Sequence, residues 1–331
     1  MRVVVMGAGA LGSYYAGMLA RAGHEVVCVA RGAHLAAMRE RGLTVEPAGE
    51  AAFSVPVTAV ADLAGLAPAD LVLLGMKTYD NATAIPQLRS LVGSDTLLLS
   101  LQNGVSGADD LSAAFGSGAV LGCVVYRAAR LAAPGMVVEG GVPGSFIFGE
   151  LAGGTSPRAE RLLATLTAAG LDATLAPAIR VTMWEKFVGY CGGAVVSTLT
   201  RLPPDRVWAC AESRELTRLA MEEAAAVGRA AGVPLPADTV ARLGALYARM
   251  TPGTYPSLYL RSAGREAPRT GGVEWDDRAA GARTGRADPD PVHHLRRAQA
   301  LRGWRAAPGR VAILAPRQRR SVLPFSARRV Q

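Results

Sequence analysis

The sequence of 331 residues predicts an α/β protein in which a doubly wound sheet is followed by an all-helical C-terminal domain. In the first 170 residues, short apolar and β-branched runs alternate with stretches rich in Ala and Leu, which is typical of βαβ units. From Val181 onward, apolar residues recur at helical spacing over longer stretches that prolines separate. The predicted domains are therefore residues 1–180 and 181–260, with a boundary near Pro177–Arg180.

Short apolar runs bounded by turn residues predict the strands of the sheet. In chain order they are Arg2–Met6, Glu25–Val29, Phe53–Val57, Leu71–Gly75, Thr96–Leu101, Val120–Val125, Val137–Val138 and Ser145–Gly149. Apolar residues three and four positions apart predict the helices. These are Gly12–Arg21, Ala84–Leu91, Gly107–Phe115 and Pro157–Ala169 in the first domain, then Trp184–Thr200, Arg214–Gly232 and Pro236–Met250 in the second.

The net charge of +9 is concentrated at one end of the chain. Residues 261–331 carry 16 Arg against 6 acidic residues, whereas residues 1–260 carry 20 basic and 21 acidic residues. Because the body is nearly neutral and the basic tail lacks ordered aromatic interleaving, we expect no nucleic-acid partner. We also expect no membrane span. The apolar N-terminal segment superficially resembles a signal peptide, but its glycines are spaced for a different motif, and elsewhere no apolar run reaches about 18 residues.

The four cysteines stand far apart, without the paired spacing of a zinc site or a dithiol motif. They are Cys28, Cys123, Cys191 and Cys210. We expect reduced, mostly buried thiols in a cytoplasmic protein that has no metal site.

The apolar run Val3–Met6 leads directly into GAGALG at residues 7–12, which opens a predicted helix. In this strand–turn–helix context, GxGxxG is the fingerprint of dinucleotide binding in a Rossmann-type fold. The glycines allow the backbone to approach a diphosphate, and the helix N-terminus offers unpaired N–H groups. The predicted cofactor-binding residues of the turn are Gly7, Ala8, Gly9, Ala10, Leu11 and Gly12, with a merely structural turn as the alternative.

Arg31 follows the second predicted strand, at the place where an NAD-preferring site carries Asp or Glu for the ribose hydroxyl. A guanidinium at this place suits a 2′-phosphate instead. The sequence therefore favours NADPH as the cofactor, with an Arg that only caps a loop as the alternative.

The chain contains 34 Arg but only two Lys, Lys77 and Lys186. An ammonium changes its pKa on burial and can donate a proton, whereas a guanidinium stays charged, so two retained lysines suggest ammonium chemistry. The alternative is that a GC-rich codon supply left only two lysines by chance. Lys77 and Asn103 each follow a predicted strand, at the edge of the sheet where ligands bind, and are predicted to meet the reactive end of the cofactor. For Asn103-Gly104, an ordinary turn is the alternative.

Lys186 lies near the start of the first helix after the predicted boundary, so we expect it in the cleft between the domains. A shielded ammonium there can bond a substrate carbonyl and supply a proton as hydride arrives. An ion pair with Glu185 at the surface is the alternative. Only His24 and His34 precede residue 293, both in the cofactor half, which leaves lysine as the candidate acid.

Five motifs together resemble the ketopantoate reductase (2-dehydropantoate 2-reductase) family in order and spacing. They are GAGALG at 7–12, MKTYD at 76–80, LQNGV at 101–105, WEKF at 184–187 and YPSLYL at 255–260. The resemblance implies NADPH-dependent reduction of 2-dehydropantoate, a small 2-oxo acid, to (R)-pantoate on the pathway to pantothenate and coenzyme A. It implies that Lys186 is the general acid, that Lys77 and Asn103 assist at the nicotinamide and substrate, and that Ser257 helps to hold the substrate. It leaves the oligomeric state open, with a homodimer as one option.

Two positions depart from the best-studied branch of the family, which carries substrate-binding Asn four and eight residues after the catalytic lysine. Here they are Tyr190 and Ala194. Because buried amides that read a substrate hydroxyl contribute strongly to discrimination, a different branched or bulkier 2-oxo acid is one rival substrate. A non-catalytic NADP-binding regulatory protein is the rival from another class.

Residues 261–331 have no sustained apolar period and are not expected to fold by themselves. The family continues here with an acidic residue, a helix that bears a functional Glu and a segment like GVPTP. A one-base shift of the reading frame from about Arg261 permits the codons for Asp276–Pro289 to spell TTVRLGRELGVPTP, which resembles that ending. We therefore hypothesise that the tail is a frameshift product that impairs activity, with a functional basic arm as the alternative.

Overall fold

A computed structural model describes residues 1–140 and 144–250 of the chain. The predicted substrate residue Ser257 and the tail at 261–331, with its hypothesised frameshift, lie outside the described residues. Within them, the predicted class is confirmed, because a doubly wound α/β sheet comes first and a purely helical region follows it.

Strands and helices alternate along much of the described chain, although β3 to β6 and β8 to β11 follow one another with no α-helix between them. The strands are β1 (Arg2–Met6), β2 (Glu25–Val29), β3 (Leu43–Glu46), β4 (Phe53–Val55), β5 (Thr58–Val60), β6 (Ala69–Leu74), β7 (Val92–Ser100), β8 (Val120–Val125), β9 (Ala129–Ala133), β10 (Met136–Glu139), β11 (Phe146–Glu150) and β12 (Ala173–Leu175). The helices are α1 (Ala10–Arg21), α2 (Gly32–Arg41), α3 (Asn81–Ala84), α4 (Ser106–Phe115), α5 (Pro157–Ala168), α6 (Ile179–Thr200), α7 (Pro204–Ala209), α8 (Ala211–Ala230) and α9 (Thr239–Tyr247).

The large sheet has eight strands in the order β12-β11-β8-β7-β6-β1-β2-β5. All neighbours in it are parallel except β11 and β8, which are antiparallel. Its central strands are continuous apolar runs, because helices cover both faces of a parallel sheet. The strands β1, β6, β7 and β8 therefore end at one common edge, and the loops that follow them meet there.

Several predicted elements need correction. The run Phe53–Val57 is not one strand of the large sheet, because Pro56 cannot donate a backbone hydrogen bond. Its first part is β4, which pairs with β3 in a second sheet of order β4-β3-β10-β9, and the neighbour of β2 is β5. In place of the predicted helix Ala84–Leu91, the structure has α3 and then a 3-10 helix at Ile85–Ser90. Pro86 lacks a backbone N–H and therefore interrupts the α-helical hydrogen bonds. The elements α2, β3, β5, β9, β12 and α7 were not predicted.

The apolar side chains form two layers, one on each face of the large sheet. Val3 and Val5 pack with α1 and α5 on one face, while Val4 and Met6 belong to the layer that contains α6 and α8. At Gly122 in β8, an added Cβ would lie 2.9 Å from the side chain of Ile179, so glycine lets the first turn of α6 approach the sheet closely. This approach places the first half of α6 against the end of β8.

The helical region begins at Ile179, earlier than the predicted helix at Trp184. α6 packs along α8, with α7 and α9 beside the pair. In the part of the chain that the structure describes, no helix combines the length and apolar character needed to cross a membrane.

Candidate active site

The glycine turn between β1 and α1 leaves an open space in front of the helix N-terminus. Gly7 has φ +96°, and a Cβ there would lie 2.7 Å from the backbone nitrogen of Met76. A Cβ added at Gly9, in contrast, would meet nothing within 4 Å. No side chain caps α1 and no acidic residue occupies its first turn, so its N–H groups face this space. The predicted turn residues thus fit a diphosphate, which such a helix end attracts.

A histidine that the sequence analysis assigned no role supports this turn. Ser13 Oγ lies 3.1 Å from the Ala8 carbonyl oxygen, to which it donates, and 3.0 Å from His34 Nε2. The backbone N–H of Gly135 donates to His34 Nδ1 at 2.9 Å. Because Nδ1 accepts, the neutral ring carries its proton on Nε2 and donates to Ser13. Burial lowers the pKa of His34, which favours this neutral form.

Arg31 lies where the sequence analysis expected it, between β2 and α2. Its side chain is exposed, and among the described residues no carboxylate pairs with it. Ala30 just before it is held by a hydrogen bond from its backbone N–H to the Val60 carbonyl oxygen, at 3.0 Å. The guanidinium is thus presented to solvent at the carboxyl end of β2.

The loops after β6 and β7 are joined by the side chain of Gln102. Its Nε2 donates to the Met76 carbonyl oxygen at 2.9 Å and to Asn81 Oδ1 at 2.7 Å. Its Oε1 accepts from Ser100 Oγ at 3.0 Å. Asn81 is also anchored, because its Nδ2 donates to Asp110 Oδ2 at 2.9 Å. Sequence analysis missed Gln102 and Asn81; the only signal was that Gln102 directly precedes the predicted Asn103.

Lys77 lies in the first of these loops and is exposed. It is not among the residues that line the cleft around Lys186. Its predicted contact with the cofactor therefore stays a prediction, as does the role of Ser257.

Lys186 lies within α6 and points toward the carboxyl end of β8. Its ammonium donates to Asn103 Oδ1 at 3.1 Å and to the Val125 carbonyl oxygen at 2.6 Å. It also lies 5.3 Å from the ring centre of Tyr126. Glu185 instead forms its ion pair with Arg242, so the alternative of a surface pair between Glu185 and Lys186 does not describe this structure. Within the described residues, two acceptors leave one ammonium hydrogen for a further partner.

Burial lowers the pKa of the Lys186 amine to about 8, against an ordinary value of 10.5. The amine is then mostly protonated at neutral pH but gives up its proton far more readily than a solvated lysine. A group with these properties is suited to general acid catalysis near neutral pH.

A small cleft surrounds this amine, between the end of β8, the Asn103 loop and α6. Its lining consists of Gln102, Asn103, Gly104, Cys123, Val124, Met183, Lys186, Phe187 and Tyr190. The predicted residues Asn103 and Lys186 therefore meet in one cleft. Tyr190 joins them, whereas Ala194, the second departing position, is buried and does not line the cleft.

An open dinucleotide turn at one end of a mostly parallel sheet, with a half-buried ammonium at the same sheet edge, is the arrangement of a nucleotide-dependent oxidoreductase with a Rossmann-type domain. The chain belongs to the ketopantoate reductase family. The family model described as "Ketopantoate reductase PanE/ApbA" matches residues 3–153, and "Ketopantoate reductase PanE/ApbA C terminal" matches residues 178–263.

Relatives and solved structures agree with this assignment. The 2-dehydropantoate 2-reductase of Mesorhizobium japonicum is 34% identical over 71% of this chain and 78% of its own length. A PanE/ApbA family ketopantoate reductase from Ralstonia eutropha JMP134 superposes with a TM-score of 0.75 and 32% identity, covering 92% of this chain and 93% of its own. D-Mandelate dehydrogenase, solved with NADH and anilino(oxo)acetate, shares the fold at a TM-score of 0.70 and 23% identity, over 78% of this chain and 84% of its own. The chain is thus an oxidoreductase of this family, whose fold accommodates a nicotinamide cofactor.

Proposed function

We propose that this chain is a cytoplasmic NADPH-dependent 2-dehydropantoate 2-reductase, which forms (R)-pantoate for pantothenate and coenzyme A synthesis. The observation that carries the proposal is the Lys186 ammonium, half-buried against Asn103 and Val125 with a hydrogen left to donate. The similarity to 2-dehydropantoate 2-reductases supports the substrate.

NADPH, when bound, supplies a hydride from C4 of its nicotinamide to the keto carbon of the substrate. Lys186 donates a hydrogen bond to the keto oxygen, and its proton passes to that oxygen as negative charge develops there. The Asn103 amide oxygen and the Val125 carbonyl oxygen hold the amine, so its direction is set before the substrate arrives. The carbonyl gains one hydride and one proton and becomes a secondary alcohol.

The preference for NADPH over NADH rests on Arg31. Its exposed guanidinium, without a carboxylate partner among the described residues, is suited to a ribose 2′-phosphate. The backbone of the glycine turn and the free N–H groups of α1 would hold the diphosphate.

Oxidation of NADPH in the presence of 2-dehydropantoate tests the proposal, with the alcohol product identified by chiral chromatography. We expect turnover with (R)-pantoate as the product, and faster turnover with NADPH than with NADH. Tight binding of NADPH without turnover of any 2-oxo acid would contradict the proposal and favour the non-catalytic regulatory alternative.

A further inference from the structure

One chain of hydrogen bonds joins the second sheet to the glycine turn through the ring of His34. The Gly135 N–H, in the turn between β9 and β10, donates to His34 Nδ1 at 2.9 Å. At the other side of the ring, Nε2 lies 3.0 Å from Ser13 Oγ, and that hydroxyl donates to the Ala8 carbonyl oxygen at 3.1 Å. Because every link donates in the same direction, the chain is complete only when the ring is neutral and accepts at Nδ1.

The last link fixes the peptide group between Ala8 and Gly9. A trans peptide places its C=O and its N–H on opposite sides, so holding the Ala8 carbonyl against Ser13 turns the Gly9 N–H away from Ser13. The N–H of Ala8 is held as well, because it donates to the Val29 carbonyl oxygen at 2.8 Å. Among the described residues no backbone carbonyl accepts from the Gly9 N–H. This N–H, at the N-cap of α1, is therefore left for an anionic ligand.

Uncharged groups face the ring from each element around it. They are the Ser13 hydroxyl on α1, the Ala8 carbonyl in the glycine turn and the Gly135 N–H between β9 and β10. Burial lowers the pKa of His34, the Ala8 carbonyl opposes part of this effect, and no ionised side chain of the described residues is among the causes. The charged side chains in and beside its own helix are all exposed: Arg31, Arg39, Glu40 and Arg41. Protonation would place an N–H at Nδ1 opposite the Gly135 N–H, so that bond would be lost.

We propose that His34 is a positioning residue for the cofactor: its neutral ring holds the glycine turn in the form that binds the diphosphate, and protonation of the ring frees the turn. The inference rests on the proposed function, and it adds regulation of the cofactor site by pH. One hydrogen bond of the chain corresponds to about three- to tenfold in affinity. Cofactor binding should therefore weaken as the pH falls through the pKa of His34, which burial holds below the ordinary value of 6.5.

The test compares the unchanged full chain with His34→Gln by calorimetric titration with NADP⁺, which is stable in mild acid. Gln can donate to Ser13 but offers no acceptor at the place of Nδ1, so it makes the hydrogen bonds of the protonated ring at every pH. We expect the unchanged chain to bind NADP⁺ about three- to tenfold more tightly at neutral pH. The two affinities should converge below the pKa of His34. Because the ribose phosphate ionises alike with both proteins, their difference isolates the ring.

His24→Gln is the matched control. It removes the other histidine of the described residues, whose Nδ1 lies 3.3 Å from the amino group of Met1 and which takes no part in the chain of hydrogen bonds. This variant should bind NADP⁺ with the affinity and the pH dependence of the unchanged chain.

A second measurement uses the unchanged chain. Coupling between two binding events is reciprocal, so a ring that must be neutral for tight binding loses its proton more readily once NADP⁺ is bound. Proton NMR should therefore give a lower pKa for His34 in the complex than in the free protein. Attraction of the ring to the phosphates alone would raise that pKa instead. This measurement decides the matter if His34→Gln does not fold.

The outcomes separate the inference from the function on which it rests. A higher pKa of His34 in the complex would overturn the inference and leave the reductase proposal intact. So would a difference between the unchanged chain and His34→Gln that is the same at both pH values. A chain that binds NADP⁺ with the expected pH dependence but reduces no 2-oxo acid would support the inference and contradict the reductase proposal. Failure to bind NADP⁺ at all would overturn both.

Discussion

At the scale of single residues, Lys186 is the group whose chemistry the surrounding structure changes most. Burial lowers the pKa of this lysine to about 8, and two acceptors fix the direction of its amine. We expect Lys186→Ala to reduce kcat by on the order of 10²-fold or more, which is the usual contribution of a positioned acid. Steady-state NADPH oxidation measures this.

Lys186→Arg is the matched control for charge. A guanidinium keeps the positive charge but does not release its proton at neutral pH, so the Arg variant should also lose turnover. Turnover near that of the unchanged chain in either variant would refute the role of Lys186 as the acid.

The pH dependence follows from the same amine. The acid must be protonated to act, so activity should be retained below the pKa of about 8 and be lost as pH rises through it. We expect kcat/KM, which reports the free enzyme, to fall about tenfold for each further pH unit above that value. A profile that stays level up to pH values near the ordinary lysine pKa of 10.5 would contradict this assignment.

The proposed preference for NADPH depends on Arg31. Charge-assisted hydrogen bonds contribute about 1.5–3 kcal/mol, so we expect Arg31→Ala to raise the Kd of NADPH by roughly 10- to 100-fold. The Kd of NADH should change little, because NADH lacks the 2′-phosphate. Fluorescence titration with both cofactors measures these Kd values. An equal loss of affinity for NADPH and NADH would show that Arg31 stabilises the loop and does not bind the 2′-phosphate.

At the scale of elements, the junction of β1 and α1 contains one glycine that the fold requires, Gly7, and one that we expect only the bound ligand to require, Gly9. A Cβ at Gly9 meets nothing within 4 Å in the protein, but it would enter the space proposed for the diphosphate. We expect Gly9→Ala to keep the thermal stability of the free protein and to raise the Kd of NADPH by about tenfold or more.

Gly7→Ala is the contrasting variant. Its φ of +96° and the 2.7 Å approach to the Met76 nitrogen make any side chain there strained. It should therefore lower the Tm of the free protein as well. Thermal melts with and without NADPH distinguish the two positions, and unchanged NADPH affinity in Gly9→Ala would argue against a diphosphate at this turn.

Some elements could be predicted from the sequence, whereas others could not. Strands such as Glu25–Val29 were predicted with their observed bounds, because continuous apolar runs are typical of a sheet covered on both faces. Helix α2 was missed because it buries only Leu35, Ala37 and Met38 and has no clear apolar period. Gln102 and His34 were missed for a different reason, since their partners Met76 and Gly135 are backbone groups that only the folded chain brings near.

At the scale of the whole molecule, the tail raises a question that the coding DNA can answer. The C-terminal family model matches residues only as far as 263, and the hypothesised frameshift begins at about residue 261. We expect sequencing around codons 255–265 to reveal an inserted or deleted base, and a frame-restored chain to turn over faster with 2-dehydropantoate than the present chain. An uninterrupted reading frame that encodes the same tail as in close relatives would contradict the hypothesis.

The scarcity of lysine has a practical consequence for this chain. Its primary amines are the N-terminus of Met1, the exposed Lys77 and the shielded Lys186. An acylating reagent can therefore modify only three amino groups, each in a different tryptic peptide. Mass spectrometry of a partly acetylated sample would follow access to the cleft through the peptide that carries Lys186, and no engineered label would be needed.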